Sequence, residues 1–268
     1  MGRLNRFIVC LKQVPETESV KIDEKTGTLM RTGVKGITNP YDLYALEAAL
    51  RLKEVYDGKI IAISMGPPQA EESLREAISY GADEAILLSD RLFAGADTLA
   101  TSYTLAQVIK KIGNFDLVLC GKEAIDGNTA QVGPQLAQRL SLPYVAYVRK
   151  IEIEEGKIIV ERALEDGSQT LVLPLPALVT VVKEIGEPRL PSIRGKMQAK
   201  KAHIPIWEAK DISAIPEKIG LTGSATRVIK IFSPPLREKR EIINGAVEEQ
   251  VKKLLSHLQT QGVLKSGN

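Results

Sequence analysis

Short, continuous apolar runs alternate through the first half of the chain with longer segments whose apolar residues recur every three or four positions. The runs are Arg6–Val14, Lys59–Met65, Glu84–Ser89 and Phe115–Cys120. Unbroken apolar character over so few residues predicts strands covered on both faces. Between them, Leu43, Leu46 and Leu50, then Leu74, Ala77 and Ile78, then Val132, Leu136 and Leu140 mark the buried faces of helices. Asn39-Pro40-Tyr41-Asp42 reads as a helix start, with Asn39 as cap and the proline in the first turn. Gln69–Tyr80 reads as a helix stopped by Gly81, and Gly95–Ser102 leads into a helix reaching Ile112 with Asp97 as its N-cap. The alternation predicts an α/β fold: a parallel twisted sheet covered by helices.

The pattern changes from Tyr144 onward. Tyr144–Ile153, Lys157–Arg162, Gln169–Leu173 and Ala177–Lys183 are strand-like runs separated by Glu155-Gly156, Asp166-Gly167 and prolines. They predict a β-meander that extends the sheet, not further βαβ units. Earlier, Asp23–Gly27 has the composition of a hairpin turn. Residues 187–201 are rich in proline and lysine and read as an exposed loop running into a basic helix. Residues 211–245 read mostly as loop, with Ser233-Pro234-Pro235 as a linker, and Val247–Leu258 as a last amphipathic helix before a tail. The expected division is therefore an α/β domain over 1–210 and a C-terminal linker and helix arm over 211–268.

Composition narrows this only a little. At 268 residues, 44% hydrophobic and 26% charged, the chain is of ordinary globular make-up. No apolar run approaches the roughly 20 residues of a membrane helix. The start of the chain has no secretory apolar core, and Cys10 and Cys120 lie within apolar runs as buried thiols, so the expected location is cytoplasmic. The charge is uneven: residues 181–268 hold 16 Lys/Arg against 9 Asp/Glu. With aromatic residues at only 4% and no base-stacking motif, that basic third suits a protein partner or an anionic cofactor and not a nucleic acid.

The candidate chemistry lies in loops. In a parallel sheet, ligands bind beyond the carboxyl ends of the strands. Cys10–Pro15, Met65–Pro68, Gly95–Thr101 and Gly121–Val132 all fall at that end. Gly121-Lys122-Glu123-Ala124-Ile125-Asp126-Gly127-Asn128-Thr129-Ala130-Gln131-Val132 runs from a strand into a helix start, where unpartnered N–H groups and the helix dipole suit an anion. Gly127 permits close approach, and Asn128 and Thr129 can cap. An ordinary βα-loop with a good cap has the same signature. Phosphate-binding Gly-x-x-x-x-Gly-Lys-Ser/Thr and Gly-x-Gly-x-x-Gly loops are absent, as are a Ser/His/Asp set and a metal-ligand cluster. His203 stands alone and is not expected to hold a metal. The residues alone describe a nucleotide binder more than an enzyme.

Several motifs in one order resemble the beta subunit of electron-transfer flavoprotein. They are Cys10–Pro15, Asn39–Asp42, Gly81–Asp83, Gly121–Asp126, and Val160–Leu171 followed by Pro176–Thr180. The likeness spans nearly the whole chain. It implies a Rossmann-like, adenine-nucleotide-binding fold and a heterodimer with an alpha subunit carrying an electron-transferring FAD. In ordinary members the beta subunit holds a structural AMP. The matching positions are Cys10, Asn39, Pro40, Tyr41, Asp42, Met65, Gly66 and Gly121 through Val132. A bifurcating branch holds a second FAD there, reduced by NADH. Gly95–Ser102, including Asp97, Thr98, Leu99 and Thr101, and Asp126–Gly133 resemble that branch.

The branch would pass electrons to ferredoxin or flavodoxin and, through the alpha subunit, to an acyl-CoA dehydrogenase or a quinone oxidoreductase-type partner. Leu190, Ile193, Arg194 and Met197 match the family's recognition loop, which docks such partners, and the C-terminal helix is expected to contact the alpha subunit. An ordinary AMP-holding subunit and, more remotely, an ATP-using α/β protein are the alternatives.

Overall fold

The computed structural model describes residues 6–16, 21–22, 29–30, 36–229 and 241–264. Two units divide the chain, Met1–Lys230 and Ile231–Asn268. The strands are β1 (Arg6–Leu11), β2 (Gln13–Pro15), β3 (Lys21–Ile22), β4 (Leu29–Met30), β5 (Gly36–Thr38), β6 (Lys59–Met65), β7 (Glu84–Leu88), β8 (Leu117–Gly121), β9 (Tyr144–Glu154), β10 (Lys157–Leu164), β11 (Gly167–Pro174), β12 (Ala177–Val181) and β13 (Ile206–Trp207). The helices are α1 (Pro40–Tyr56), α2 (Glu71–Tyr80), α3 (Thr98–Ile112), α4 (Val132–Leu140), α5 (Ile193–Lys201) and α6 (Val247–Thr260). The predicted Asp23–Gly27 turn and Ser233–Pro235 linker lie outside the described residues.

The main sheet of the first unit has nine strands in the order β11-β10-β9-β12-β8-β1-β6-β7-β13. Every pairing from β9 through β13 is parallel; only β10 with its two neighbours is antiparallel. Alternate residues of the central strands face opposite layers, as a pleat demands. Phe7, Val9 and Leu11 join Leu46, Ala49, Leu74 and Ala77 on the side covered by α1 and α2. Ile8, Cys10, Val118 and Cys120 join Tyr103, Ala106, Leu136 and Ala137 on the side covered by α3 and α4.

One strand departs from the expected meander. β9, β10 and β11 do form one, but β12 inserts parallel between β8 and β9. The reason is in its burial: all of Ala177–Val181 is buried, a central-strand pattern that a half-covered meander strand cannot carry. Strand β13 and the turns after it, including Ile212 and Ile219, also pack into the first unit. In the second unit, Lys253 of α6 pairs with Glu241 at 2.9 Å, and Val247, Val251, Leu254 and Leu255 are exposed.

The connection after β1 leads through α1 to β6 on one side; the connection after β8 leads through α4 to the other. A crevice therefore opens beyond the carboxyl ends of β1 and β8. Its floor is set by a close crossing of the α1 start over β8. A Cβ on Gly121 would lie 2.4 Å from Asp42 Oδ1 and 2.6 Å from the Tyr41 carbonyl carbon, so only glycine fits. The buried Asp42 carboxylate accepts from the Lys12 backbone N–H at 2.7 Å. Burial raises Asp42 from the usual 3.8 to about 7, against the lowering effect of hydrogen bonds from Asn39, Lys12 and Gly121.

Because the native state holds this proton more tightly than the unfolded chain, Asp42 stabilises the fold most at low pH. That contribution is lost as pH rises from about 4 through about 7. Asp42→Asn should thus gain on the wild type between pH 5 and pH 8, by roughly 2–3 kcal/mol in urea unfolding. A constant difference between the two proteins over that range would contradict the assignment. Gly121→Ala should destabilise by at least about 1–3 kcal/mol through overpacking, read as a lower urea midpoint with an unchanged slope. An unchanged midpoint would mean that α1 does not press on β8.

Candidate functional site: the crevice at the carboxyl end of the sheet

The loop after β8 is fastened to the crevice at two points. Lys12 Nζ pairs with Asp126 at 2.7 Å, reaching both carboxylate oxygens. Asn39, fully buried, donates through Nδ2 to the Glu123 carbonyl at 2.8 Å and accepts from the Ile125 N–H at 3.2 Å. Asn39 thus corrects its expected role. It makes no side-chain cap on α1 but instead bridges α1 to the loop.

The second half of that loop also differs from expectation. Asn128 and Thr129 do not cap a helix; α4 begins at Val132, and Asn128 and Ala130 adopt left-handed backbone at φ 47° and 52°. Alternating handedness turns successive N–H groups toward one concavity. Gly127 and Asn128 N–H groups are satisfied by the Ala124 carbonyl. The next five, Thr129 through Gly133, have no acceptor among the described residues. They run directly into the positive end of the α4 dipole. Gly133 is required there for packing: a Cβ would stand 2.4 Å from the Thr180 methyl.

The start of α3 is joined to this loop. Thr98 donates its hydroxyl to Gln131 Oε1 at 3.0 Å and accepts from Gln135 Nε2 at 3.2 Å. Ser102 accepts from Arg139 Nε at 2.9 Å, and Arg139 also donates to the Leu99 carbonyl at 3.0 Å. Asp97 caps α3 as expected, accepting from the Ala100 N–H at 3.0 Å, and its carbonyl accepts from Thr101 at 2.9 Å. Burial raises the Asp97 carboxyl, but hydrogen bonds from Ala100 and Thr226 outweigh it and hold the group below its usual range.

The remaining expected residues fall around the same end. Pro40 and Tyr41 form the first turn of α1. Met65 ends β6 and Gly66 follows it, with the Gly66 N–H on the Leu88 carbonyl at 3.0 Å. Cys10 and Cys120 sit in register on neighbouring strands. The hydrogen bond with Cys10, and then burial, push the Cys120 thiol well up, so it is held neutral. Lys122, raised by its hydrogen bond with Glu123, stands 5.7 Å from the Tyr41 ring and 5.8 Å from that of Tyr147. Leu190, Ile193, Arg194 and Met197 are not part of this crevice. They lie in and before α5, which packs on α2 so closely that a Cβ on Gly195 would reach 2.1 Å from the Ser79 carbonyl oxygen.

Several residues escaped the sequence reading. Lys12, Gln135 and Arg139 carry no local signature, being long polar side chains of the kind that usually face water. Tyr147 sits within a strand, yet a β-bulge gives it φ 63° and turns its N–H to the Thr180 hydroxyl at 3.2 Å. An alternating pattern cannot show a bulge of this kind. Chemically, the crevice offers backbone donors, a lysine and an arginine around a buried carboxyl. Among the described residues no group of three or more His, Cys, Asp or Glu side chains could hold a metal ion.

Comparison with known proteins places this geometry in context. The electron transfer flavoprotein domain matches residues 26–212. The chain is 52% identical over 261 residues to the CarD subunit of the caffeyl-CoA reductase-Etf complex of Acetobacterium woodii, covering 97% of this chain and 100% of that one. It is 51% identical over 238 residues to the electron transfer flavoprotein beta subunit of Megasphaera elsdenii, covering 86% and 88%. It is 45% identical over 256 residues to FixA of Bradyrhizobium diazoefficiens, covering 92% and 89%. With the domain matched over residues 26–212 and relatives matched over most of their length, this chain belongs to the electron transfer flavoprotein family, on the beta-subunit side.

Proposed function

We propose that the chain binds FAD in the crevice and serves, with an alpha subunit, to pass electrons from NADH to two acceptors. The observation that carries the nucleotide part is the run of N–H groups from Thr129 to Gly133 that have no acceptor among the described residues. A pyrophosphate carries two charged groups and needs several donors. This run leads into a helix dipole and supplies them without a lysine-rich loop. Resemblance to the bifurcating branch in Gly95–Ser102 and Asp126–Gly133 supports FAD over AMP. When bound, a flavin supplies the hydride acceptance and the one-electron chemistry.

The protein's own residues would then hold and orient. Thr98, Gln131 and Gln135 fix the two helix starts against each other at the phosphate position. Lys12 and Lys122, each paired with a carboxylate, stand at the rim, and Asp42, buried beneath, keeps the floor in place. Tyr41 and Met65 are the apolar surfaces on offer to a ring.

For the acceptors, the name of the Acetobacterium woodii relative places that protein with a caffeyl-CoA reductase. It supports an acyl-CoA dehydrogenase-type partner, with a quinone-linked oxidoreductase as the other member of that class. Leu190, Ile193 and Met197, each more than half exposed beside Arg194, give the docking face: apolar anchors in a basic setting. Ferredoxin or flavodoxin is the proposed low-potential acceptor, and α6 the proposed contact with the alpha subunit. No helix among the described residues is long and apolar enough to cross a membrane. The cytoplasm is the proposed location.

The deciding measurement is the nucleotide content of the purified heterodimer, after denaturation and chromatographic separation. Two FAD and no AMP per heterodimer is the expected result. One FAD and one AMP would reduce the chain to a structural nucleotide holder, the second reading. Ala130→Pro deletes one donor and forbids the left-handed turn. It should cost at least about tenfold in nucleotide retention while leaving the thermal midpoint of the nucleotide-free protein within about 2 °C, as expected for a change in a loop outside the core. Full retention would show that the run does not touch the ligand.

A further inference from the structure

Asp97 stands in a motif whose resemblance implies cofactor contact, yet its carboxylate is fully engaged elsewhere. Oδ1 caps α3 through the Ala100 N–H at 3.0 Å. Oδ2 accepts from both the N–H and the hydroxyl of Thr226, at 3.0 and 3.1 Å. The Asp97 N–H donates to the Ser224 hydroxyl at 2.8 Å, and that hydroxyl donates to the Gly220 carbonyl at 2.8 Å. The Leu221 N–H donates to the Ala94 carbonyl at 2.9 Å. A Cβ on Gly220 would fall 2.0 Å from the Leu92 carbonyl oxygen, so that glycine too is pressed against the loop before α3. Residues 220–226 are the last stretch clasped onto the first unit before it ends at Lys230. Past Thr226, Arg227, Val228 and Ile229 are exposed.

We propose that Asp97 is a positioning residue, not a ligand. It latches the root of the C-terminal segment onto the start of α3, so that a nucleotide seated at the α3 and α4 starts steadies that root. One side chain serves both the helix that borders the crevice and the strap that leaves it. Thr98, its neighbour in sequence, is bonded in turn to Gln131 at the end of the N–H run. The steps from root to crevice are thus short: Thr226 bonds to Asp97, Asp97 precedes Thr98 in the chain at the start of α3, and Thr98 bonds to Gln131. A ligand that orders Gln131 and Thr98 orders the cap, and a latched root returns the same coupling to the ligand. This coupling rests on the nucleotide reading above; the latch itself does not.

The test is tryptic cleavage after Arg227 in the intact heterodimer, followed by mass spectrometry with and without AMP or FAD as the probe. Thr226→Val removes the hydroxyl and leaves the α3 cap alone; Thr226→Ser restores it. Thr226→Val should speed cleavage at Arg227 by about fivefold or more at unchanged rates elsewhere, with Thr226→Ser near the wild type. Asp97→Ala should match or exceed it, and the double variant Asp97→Ala, Thr226→Val should be no faster than Asp97→Ala alone. Added nucleotide should slow cleavage in the wild type and lose that effect in Thr226→Val. Equal cleavage rates in all proteins would overturn the latch. Measured nucleotide binding that leaves the wild-type rate untouched would overturn the coupling. Failure of AMP and FAD to bind at all would remove the coupling with the nucleotide reading, and the variant rates alone would then decide the latch.

Discussion

The crossing of the α1 start over β8 is the constraint on which the crevice depends. Here two backbones meet with only a glycine hydrogen between them, and the buried Asp42 carboxylate ties the joint to Lys12 at the end of β1. Desolvating a carboxylate is costly, and the hydrogen bonds that surround Asp42 only partly offset it. What the arrangement secures is position. With α1 fixed, Asn39 sits where it can hold Glu123 and Ile125, and the loop after β8 cannot fall back onto the strand ends. The loop's later N–H groups are then left without acceptors among the described residues.

That loop shows how a site can be built from backbone. Left-handed residues at Asn128 and Ala130 cost local energy, since neither is glycine. The same geometry leaves five N–H groups without acceptors among the described residues, open to a ligand. Strain and open donors at one place, braced by Lys12–Asp126 and Thr98–Gln131, suit an anionic ligand. The nucleotide site proposed for this chain rests there, and not on a motif of charged side chains.

Much of the frame was legible because it depends on local pattern. Burial on both faces makes β1, β6 and β8 continuous apolar runs, and Asp97 before a helical face is an N-cap by composition alone. The misreadings arose where distant contacts decide. β12 resembles a meander strand until the burial of both its faces is known. Asn39 has the chemistry of a cap, but a carbonyl and an N–H from residues 123 and 125 compete for it and win. Asn128 and Thr129 look like helix-starting residues, yet α4 waits until Val132 because the backbone turns left-handed first. Tyr147 depends on a bulge, and Lys12 on a loop more than a hundred residues away; neither leaves a trace in its own neighbourhood.

The surface proposed for partner docking is held by a different logic from the crevice. Arg189, just before Leu190, binds the buried Glu47 of α1 through Nε at 2.8 Å and also pairs with Glu54. Burial raises the Glu47 carboxyl, but the hydrogen bonds from Arg189 and Arg51 overcome that and keep it ionised below its usual range. Ser192 caps α5, Gly195 lies against Ser79, and Arg75 closes the other end on the Ala199 carbonyl at 2.6 Å. Such ion pairs add little net stability but fix direction well. The exposed Ile193 and Met197 are therefore carried on a helix braced at both ends, with Leu190 held just before it by Arg189. Little conformational freedom remains to be lost when a partner covers them, and brief, repeated docking is what an electron carrier needs.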